Sequence, residues 1–176
     1  MTAISRKSVL VLAAAAISLA ATAATADTPT LLGISKDWTA FTSGSGSSKI
    51  CYALSKPTST SPKKKRDAIY VLITDWPSRH AKAEPEVVPG YLYKEGTKVT
   101  ATVGGTAFEL FVKNENGAGA AWVRHHDDEA RLIDAMRGSS TLVVTGTSAR
   151  GSTTKDTYSL AGLGDALDRI HQACGM

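Results

Sequence analysis

Residues 98–112, Lys-Val-Thr-Ala-Thr-Val-Gly-Gly-Thr-Ala-Phe-Glu-Leu-Phe-Val, decide the fold class. Apolar residues alternate with polar ones on both sides of a glycine pair, at Val99, Ala101, Val103, Phe108, Leu110 and Val112. A period of two is typical of strands that bury one face, and Gly104-Gly105 tolerates the positive φ of a tight hairpin turn. A second turn at Asn116-Gly117 precedes a third alternating run, Ala120–Arg124. The stretch therefore predicts a three-stranded antiparallel meander.

Outside this meander, short apolar or alternating runs predict further strands. They are Trp38–Phe41, Ile50–Leu54, Ala68–Thr74, Leu142–Thr147 and Thr154–Leu160. The run at 68–74 is continuously apolar and β-branched, which favours a central strand. Residues 27–33 predict a loose leader and residues 56–66 an exposed, proline-broken loop. In a chain with few aromatic residues, we expect Trp38, Trp76 and Trp122 to lie in the core.

Two helices are predicted in the second half of the chain. Asp127-Asp128 marks the start of a short helix that ends at Gly138, because acids favour the positive end of the helix dipole and glycine favours its close. Apolar residues at helical spacing then predict a C-terminal helix from Leu163 to Cys174. Strands and helices do not alternate, so a parallel nucleotide-binding sheet is not expected. The fold class is mainly β: an antiparallel β-sandwich with one short helix and a C-terminal helix.

Composition and charge exclude several classes of protein. The chain has 176 residues, of which 43% are hydrophobic and 20% charged, which is ordinary for a globular protein. The formal net charge is +4, and Arg6 and Lys7 at the N-terminus account for two of those charges. The remaining excess is too small to indicate nucleic acid, which requires a basic stripe on one face. No nucleic-acid partner is therefore expected.

The N-terminal residues predict export. Arg6 and Lys7 precede a short apolar run, and small residues lead to a predicted cleavage site between Ala26 and Asp27. The apolar run is shorter than the ~20 residues that span a bilayer, and no later segment is longer, so no transmembrane segment is expected after signal removal. We therefore predict a signal peptide at 1–26 and a single β-rich domain at 27–176. The expected location is the periplasm, with outer-membrane association or secretion as alternatives.

The two cysteines, Cys51 and Cys174, stand near opposite ends of the mature chain. An even cysteine count in an oxidising compartment favours a disulfide, and two cysteines allow only one intramolecular pairing. The alternative is a pair of free buried thiols. The CxxC spacing of thiol-redox and thiolate zinc centres is absent from the sequence.

The run His125-His126-Asp127-Asp128 is the strongest candidate for chemistry, because imidazoles and carboxylates bind metals and transfer protons. Adjacent residues diverge, however, so at most two of the four side chains can converge on one ion. We interpret the run as a turn and a helix start. The sequence motifs of serine hydrolases and phosphate-binding loops are also absent. We expect no catalytic residues, no metal and no cofactor; a hydrolase or metal-dependent enzyme that uses residues 125–128 is the alternative.

A second candidate is the basic run Lys63, Lys64, Lys65 and Arg66. One interpretation is a solvated loop tip. The other is electrostatic docking on an anionic surface, at about 1 kcal/mol for each charge near a membrane.

Six stretches, in order along the chain, resemble elements of the invasion-associated locus B family. They are 49–57 (Lys-Ile-Cys-Tyr-Ala-Leu-Ser-Lys-Pro), 89–96 (Pro-Gly-Tyr-Leu-Tyr-Lys-Glu-Gly), 103–111, 135–138, 145–151 and 156–162, the last followed by a helix and Cys174. The resemblance implies a small exported protein of alphaproteobacterial type, linked to host-cell invasion or cell-envelope integrity. The family has no established catalytic residues to carry over. One departure, Pro85 within residues 83–88, argues against a regular strand before Gly90.

Together these observations favour a non-enzymatic protein that binds an envelope component or a host partner, either a protein or an anionic lipid. An inhibitor or chaperone that uses an exposed sheet edge is a further alternative.

Overall fold

The computed structural model describes residues 28–176 of the chain. The predicted signal peptide, 1–26, and its cleavage site at Ala26 and Asp27 lie outside the described residues. The strands are β1 (Thr30–Ser35), β2 (Trp38–Ser43), β3 (Ile50–Ser55), β4 (Ser59–Ser61), β5 (Tyr70–Trp76), β6 (Ala81–Val88), β7 (Val99–Val103), β8 (Thr106–Glu115), β9 (Ala118–Val123), β10 (Thr141–Thr147) and β11 (Thr153–Ser159). The helices are α1 (His126–Arg137) and α2 (Leu163–Cys174).

The strands form one eleven-stranded sheet in the order β1-β2-β3-β5-β6-β9-β8-β7-β10-β11-β4. Every pairing between these strands is antiparallel. The predicted meander is confirmed, since β7 pairs with β8 through the Gly104-Gly105 turn and β8 pairs with β9. The mainly β, antiparallel class with two helices is confirmed as well.

The sheet curls until its two ends meet. Trp38 on β2 is fully buried, and its indole Nε1–H donates a 3.0 Å hydrogen bond to the carbonyl of Ser159 at the end of β11. The backbone N–H of Asp37 also donates to the carbonyl of Ala161. The core lies inside the curve, where alternate residues of β2, β3, β5, β7 and β10 are buried. This curled sheet is compatible with the predicted sandwich, although one continuous sheet provides both layers.

The two helices pack on the concave side of the sheet. The buried face of α2, which contains Leu163, Leu167 and Ile170, contacts β1, β2, β3 and β5. A disulfide joins Cys174 of α2 to the buried Cys51 of β3, with 5.9 Å between their Cα atoms. Helix α1 contacts β6, β7 and β9 and ends at Gly138, as predicted.

Three short or irregular strands were not predicted from the sequence. Residues 30–33 belong to β1 rather than to a loose leader, and β4 lies inside the predicted loop at 56–66. The expectation that Pro85 interrupts the strand before Gly90 was wrong, because β6 runs through it. Pro85 pairs with β5, while pairing with β9 begins only at the next residue, Glu86. The proline thus lies where the sheet has a neighbour on one side only, and its missing N–H is tolerated there.

Candidate functional site

A cleft with a volume of about 560 Å³ lies where three loops meet. The loops are the β4–β5, β6–β7 and β10–β11 connections, together with Gly117 at the β8–β9 turn. We call this the basic cleft. Its lining residues are Pro62, Lys64, Lys65, Arg66, Asp67, Gly90, Tyr91, Leu92, Gly117, Ser148, Ala149, Arg150, Ser152 and Thr154.

Backbone hydrogen bonds hold the three loops together. The N–H of Asp67 donates to the carbonyl of Gly90 at 3.2 Å, and the N–H of Ala149 donates to the carbonyl of Leu92 at 2.7 Å. Gly90 has a φ of +72°, and a Cβ atom there would lie 2.5 Å from the carbonyl oxygen of Asp67. Only glycine fits both this backbone angle and this close approach.

Arg66, which lines the basic cleft, belongs to a buried ion pair. The Arg66 side chain is 7% exposed and the Asp156 side chain 3%, and the guanidinium makes two hydrogen bonds to the carboxylate. Arg66 Nη1 also donates to the carbonyl of Pro89 at 3.1 Å, and the guanidinium lies 5.6 Å from the centre of the Tyr91 ring. The hydrogen bond to Asp156 raises the pKa of Arg66, against the effect of burial. Arg66 therefore binds β11 and does not belong to the exposed basic run that the sequence predicted.

Three tyrosines surround this ion pair. The Tyr91 hydroxyl is 2.6 Å from Thr154 Oγ1, whereas the buried hydroxyls of Tyr93 and Tyr158 have no hydrogen-bond partner among the described residues. Burial raises the pKa of all three phenols. The interior behind the cleft is thus poorly solvated, which strengthens the attraction between Arg66 and Asp156.

The rim of the basic cleft carries the exposed positive charges. Lys64, Lys65 and Arg150 line it, and Lys63 lies next to them; all four are exposed. None of these side chains has an ion-pair partner within residues 28–176, and Asp67 is the one acidic residue of the lining. The rim is therefore suited to bind an anion. Sequence reasoning missed Arg150 because it lies more than eighty residues from the lysines.

The cluster at residues 125–128 does not converge on one point. His125 is the N-cap residue of α1, and the next residues form local pairs: His126 Nδ1 lies 2.8 Å from Glu129, and Asp128 accepts from Arg131 at 2.7 Å. His125 and Asp128 line a smaller groove of about 310 Å³. Within the described part of the chain, no group of three or more His, Cys, Asp or Glu side chains could hold a metal ion.

The structure also contains a largely buried His–Asp pair that no sequence pattern predicts. Asp75 is fully buried, accepts a 2.8 Å hydrogen bond from the N–H of Ala83, and lies 2.7 Å from His171 Nδ1. Asp75 is the cross-strand neighbour of Cys51, so the pair and the disulfide attach α2 to the same region of the sheet. The two residues are 96 positions apart, and no spacing motif connects them.

Comparisons with known proteins agree with the architecture. A sequence model described as "Invasion associated locus B (IalB) protein" matches residues 38–171. The crystal structure of invasion associated protein B from Bartonella henselae has a similar fold, with a TM-score of 0.58 and 13% identity over 82% of this chain and 98% of that chain. No curated protein sequence matches the chain. Among residues 28–176, no helix combines the length and the apolar character needed to cross a membrane.

Proposed function

The chain belongs to the invasion associated locus B (IalB) family, and from this premise we propose that it is an exported, invasion-associated protein that acts by binding rather than by catalysis. The proposed ligand is an anionic, phosphate-bearing lipid surface of the bacterial envelope or the host cell. The proposed contact is the rim of the basic cleft. The proposed location is the periplasm or the cell surface.

The observation that carries this proposal is the set of unpaired cations on the rim. Lys64, Lys65 and Arg150 lie on two separate loops that backbone hydrogen bonds fix in place. Pre-positioned charges lose less conformational freedom on binding than charges on a mobile tail. Near an anionic membrane each contributes about 1 kcal/mol, so three or four together support weak, salt-sensitive attachment.

A binding role also fits the state of the other polar clusters. His126 and Asp128 pair with residues of their own helix, as expected for a helix start. Such pairs satisfy the polar groups without a substrate. This favours binding over a hydrolase or metal-dependent enzyme that uses residues 125–128.

Vesicle binding tests the proposal. The mature protein, 27–176, should co-sediment with phosphatidylglycerol-containing vesicles at low salt and dissociate as salt rises. Replacing Lys63, Lys64 and Lys65 together by Ala should lower the partition coefficient at least tenfold, on the scale of about 1 kcal/mol per charge. Arg66 must stay, because its buried pair with Asp156 supports the cleft.

The matched control removes three exposed lysines that lie outside the cleft and also have no ion-pair partner among the described residues, Lys36, Lys56 and Lys82, and so changes net charge equally. This control should bind nearly as well as the unaltered protein. An equal decrease of the partition coefficient in both variants would mean that net charge alone drives binding, and this would refute the cleft as the contact. No binding at low salt, or binding that salt does not weaken, would refute the proposal.

A further inference from the structure

The convex face of the sheet carries a row of apolar side chains that the helices do not cover. Strand register aligns five outward residues across β3, β5, β6, β9 and β8: Leu54, Leu72, Glu86, Trp122 and Phe111. All five are half-buried. With strands about 4.8 Å apart, this central row is about 19 Å long. Both helices pack on the opposite, concave side.

A second row of outward residues lies beside the first. Register aligns Phe41, Tyr52, Thr74 and Glu84 across β2, β3, β5 and β6; Thr74 is buried, and the other three are half-buried. The Phe41 and Tyr52 rings stack with 5.3 Å between their centres. In the central row, the centres of the Phe111 and Trp122 rings lie 6.0 Å apart. The face is therefore rich in ordered aromatic rings, which are common in protein interfaces.

Glu86 lies at the middle of the central row and has no cationic partner among the described residues. Burial raises the pKa of Glu86, the neighbouring negative charge of Glu84 raises it further, and a hydrogen bond from the Trp122 side chain offsets part of this rise. Glu84, in contrast, has Arg79 within 3.8 Å. A half-buried carboxylate without a countercharge is unfavourable in the free protein, so an incoming cation would stabilise it.

We propose that this convex face is a docking surface for a basic protein segment, with an arginine of the partner paired to Glu86 and stacked against Trp122. The carboxylate of Glu86 selects a cation. Arg124 lies 5.5 Å from the centre of the Phe111 ring at the end of the central row, but it forms no ion pair with Glu86. Arginine suits the position better than lysine because its planar guanidinium pairs with a carboxylate through two hydrogen bonds and also stacks on aromatic rings. The flanking leucines and aromatic rings would contact the apolar residues of the same segment.

This surface is separate from the basic cleft. No residue of either row lines that cleft. The convex face is proposed to bind a cation, whereas the basic cleft is proposed to bind an anion. The inference therefore does not depend on the proposed function, and either one can fail without the other.

A pair of peptides tests the proposal directly. The probe is Ac-Ile-Thr-Arg-Thr-Ile-NH₂, and its control has citrulline, a neutral group of the same shape, in place of arginine. Titration into the ¹⁵N-labelled mature protein is followed through the Trp122 indole N–H signal, which the variant Trp122→Phe identifies. The arginine peptide should shift this signal in a saturable way, and the citrulline peptide should bind at least tenfold more weakly.

Two further variants separate the pairing from general effects of charge. Glu86→Gln keeps the shape of the side chain and should weaken binding of the arginine peptide at least tenfold. Glu95→Gln, at an exposed loop position, removes the same charge and should leave binding unchanged. Melting curves check that both variants are folded. Absence of any saturable shift, equal binding of the two peptides, or equal losses in the two variants would overturn the proposal.

Discussion

At the scale of single residues, the molecule contains two carboxylates in contrasting surroundings. Asp156 is buried and holds the guanidinium of Arg66 through two hydrogen bonds, so its charge is compensated. Glu86 is half-buried beside apolar side chains and has only an indole N–H as partner. Removal of one member of a compensated buried pair strongly destabilises the fold, whereas removal of an uncompensated charge stabilises it. The Arg66–Asp156 pair therefore supports the fold, and Glu86 can be stabilised by a cationic partner.

Glu86→Gln should therefore stabilise the free protein at neutral pH. Because the folded state raises the pKa of Glu86 above its unfolded value near 4.5, the unfolded chain releases this proton first as pH rises. The free energy of unfolding therefore falls as pH increases from about 4.5 to the pKa of Glu86 in the folded state. Above that pKa, the contribution of Glu86 no longer changes with pH. Relative to the unaltered protein, the Gln variant should gain about 1–3 °C in Tm at pH 7 and nothing at pH 3.5.

Calorimetry at both pH values measures this difference, with Glu95→Gln as the control that should show no gain at either pH. A Gln variant that is less stable at pH 7 would mean that the hydrogen bond from Trp122 outweighs the desolvation of Glu86.

The residues of the basic cleft show which roles a sequence can reveal. The run Lys63–Arg66 was visible because its charges are adjacent, and three of its members are exposed as expected. The burial of Arg66 could not be predicted, because Asp156 lies 90 residues away and all four residues of the run are basic. The long-range pairing of β4 with β11 brings the loop that holds Arg66 close to Asp156.

At the scale of elements, strands with a strong alternation could be predicted and those without it could not. β7 buries every second residue before the glycine turn, and β8 buries Phe108 and Leu110 after it. β4 consists of Ser-Thr-Ser and depends wholly on β11, while β1 is an edge strand whose Leu31 and Ile34 are 54% and 66% exposed. In β6 the alternation was present, but Pro85 obscured it.

The attachment of α2 gives a prediction at this scale. Replacing Cys51 and Cys174 together by Ala should lower the free energy of unfolding by about 2–5 kcal/mol, because the bond closes a loop of 123 residues in the unfolded chain. Ala suits the fully buried position 51 better than Ser, whose hydroxyl would need a partner. Urea titration measures the loss. Limited proteolysis with mass spectrometry should find cleavage in or near α2 before any cleavage in the β7–β9 meander.

The unaltered protein under reducing conditions is the control, and it should behave like the double variant. First cleavage within the meander, or a loss below about 1 kcal/mol, would show that apolar packing and the His171–Asp75 pair hold α2 without the crosslink.

At the scale of the whole molecule, the curling of the sheet brings β2, near one edge, into contact with the end of β11, near the other edge. The sequence predicted an antiparallel β-sandwich, but strand alternation does not determine whether one sheet or two provide its layers. That choice depends on a few contacts between residues more than a hundred positions apart, such as Trp38 and Ser159. The same curvature places the helices inside and leaves the convex face available, while the loops at one end form the basic cleft.

The closure of the sheet can be tested at Trp38, whose side chain is fully buried and whose indole N–H bonds to Ser159. Trp38→Phe should lower the free energy of unfolding by about 2–3 kcal/mol, because the smaller ring leaves a void and the carbonyl loses its donor. Trp76→Phe, at a half-buried position whose indole N–H has no hydrogen-bond partner among the described residues, is the matched control and should cost less than about 1 kcal/mol. Urea titration compares the two. Hydrogen exchange should also accelerate together in β2 and β11 of the Trp38 variant, since the contact joins them. If exchange rises in β2 alone, or if the two variants lose equal stability, then the curled sheet is held by its strand pairing and not by this contact.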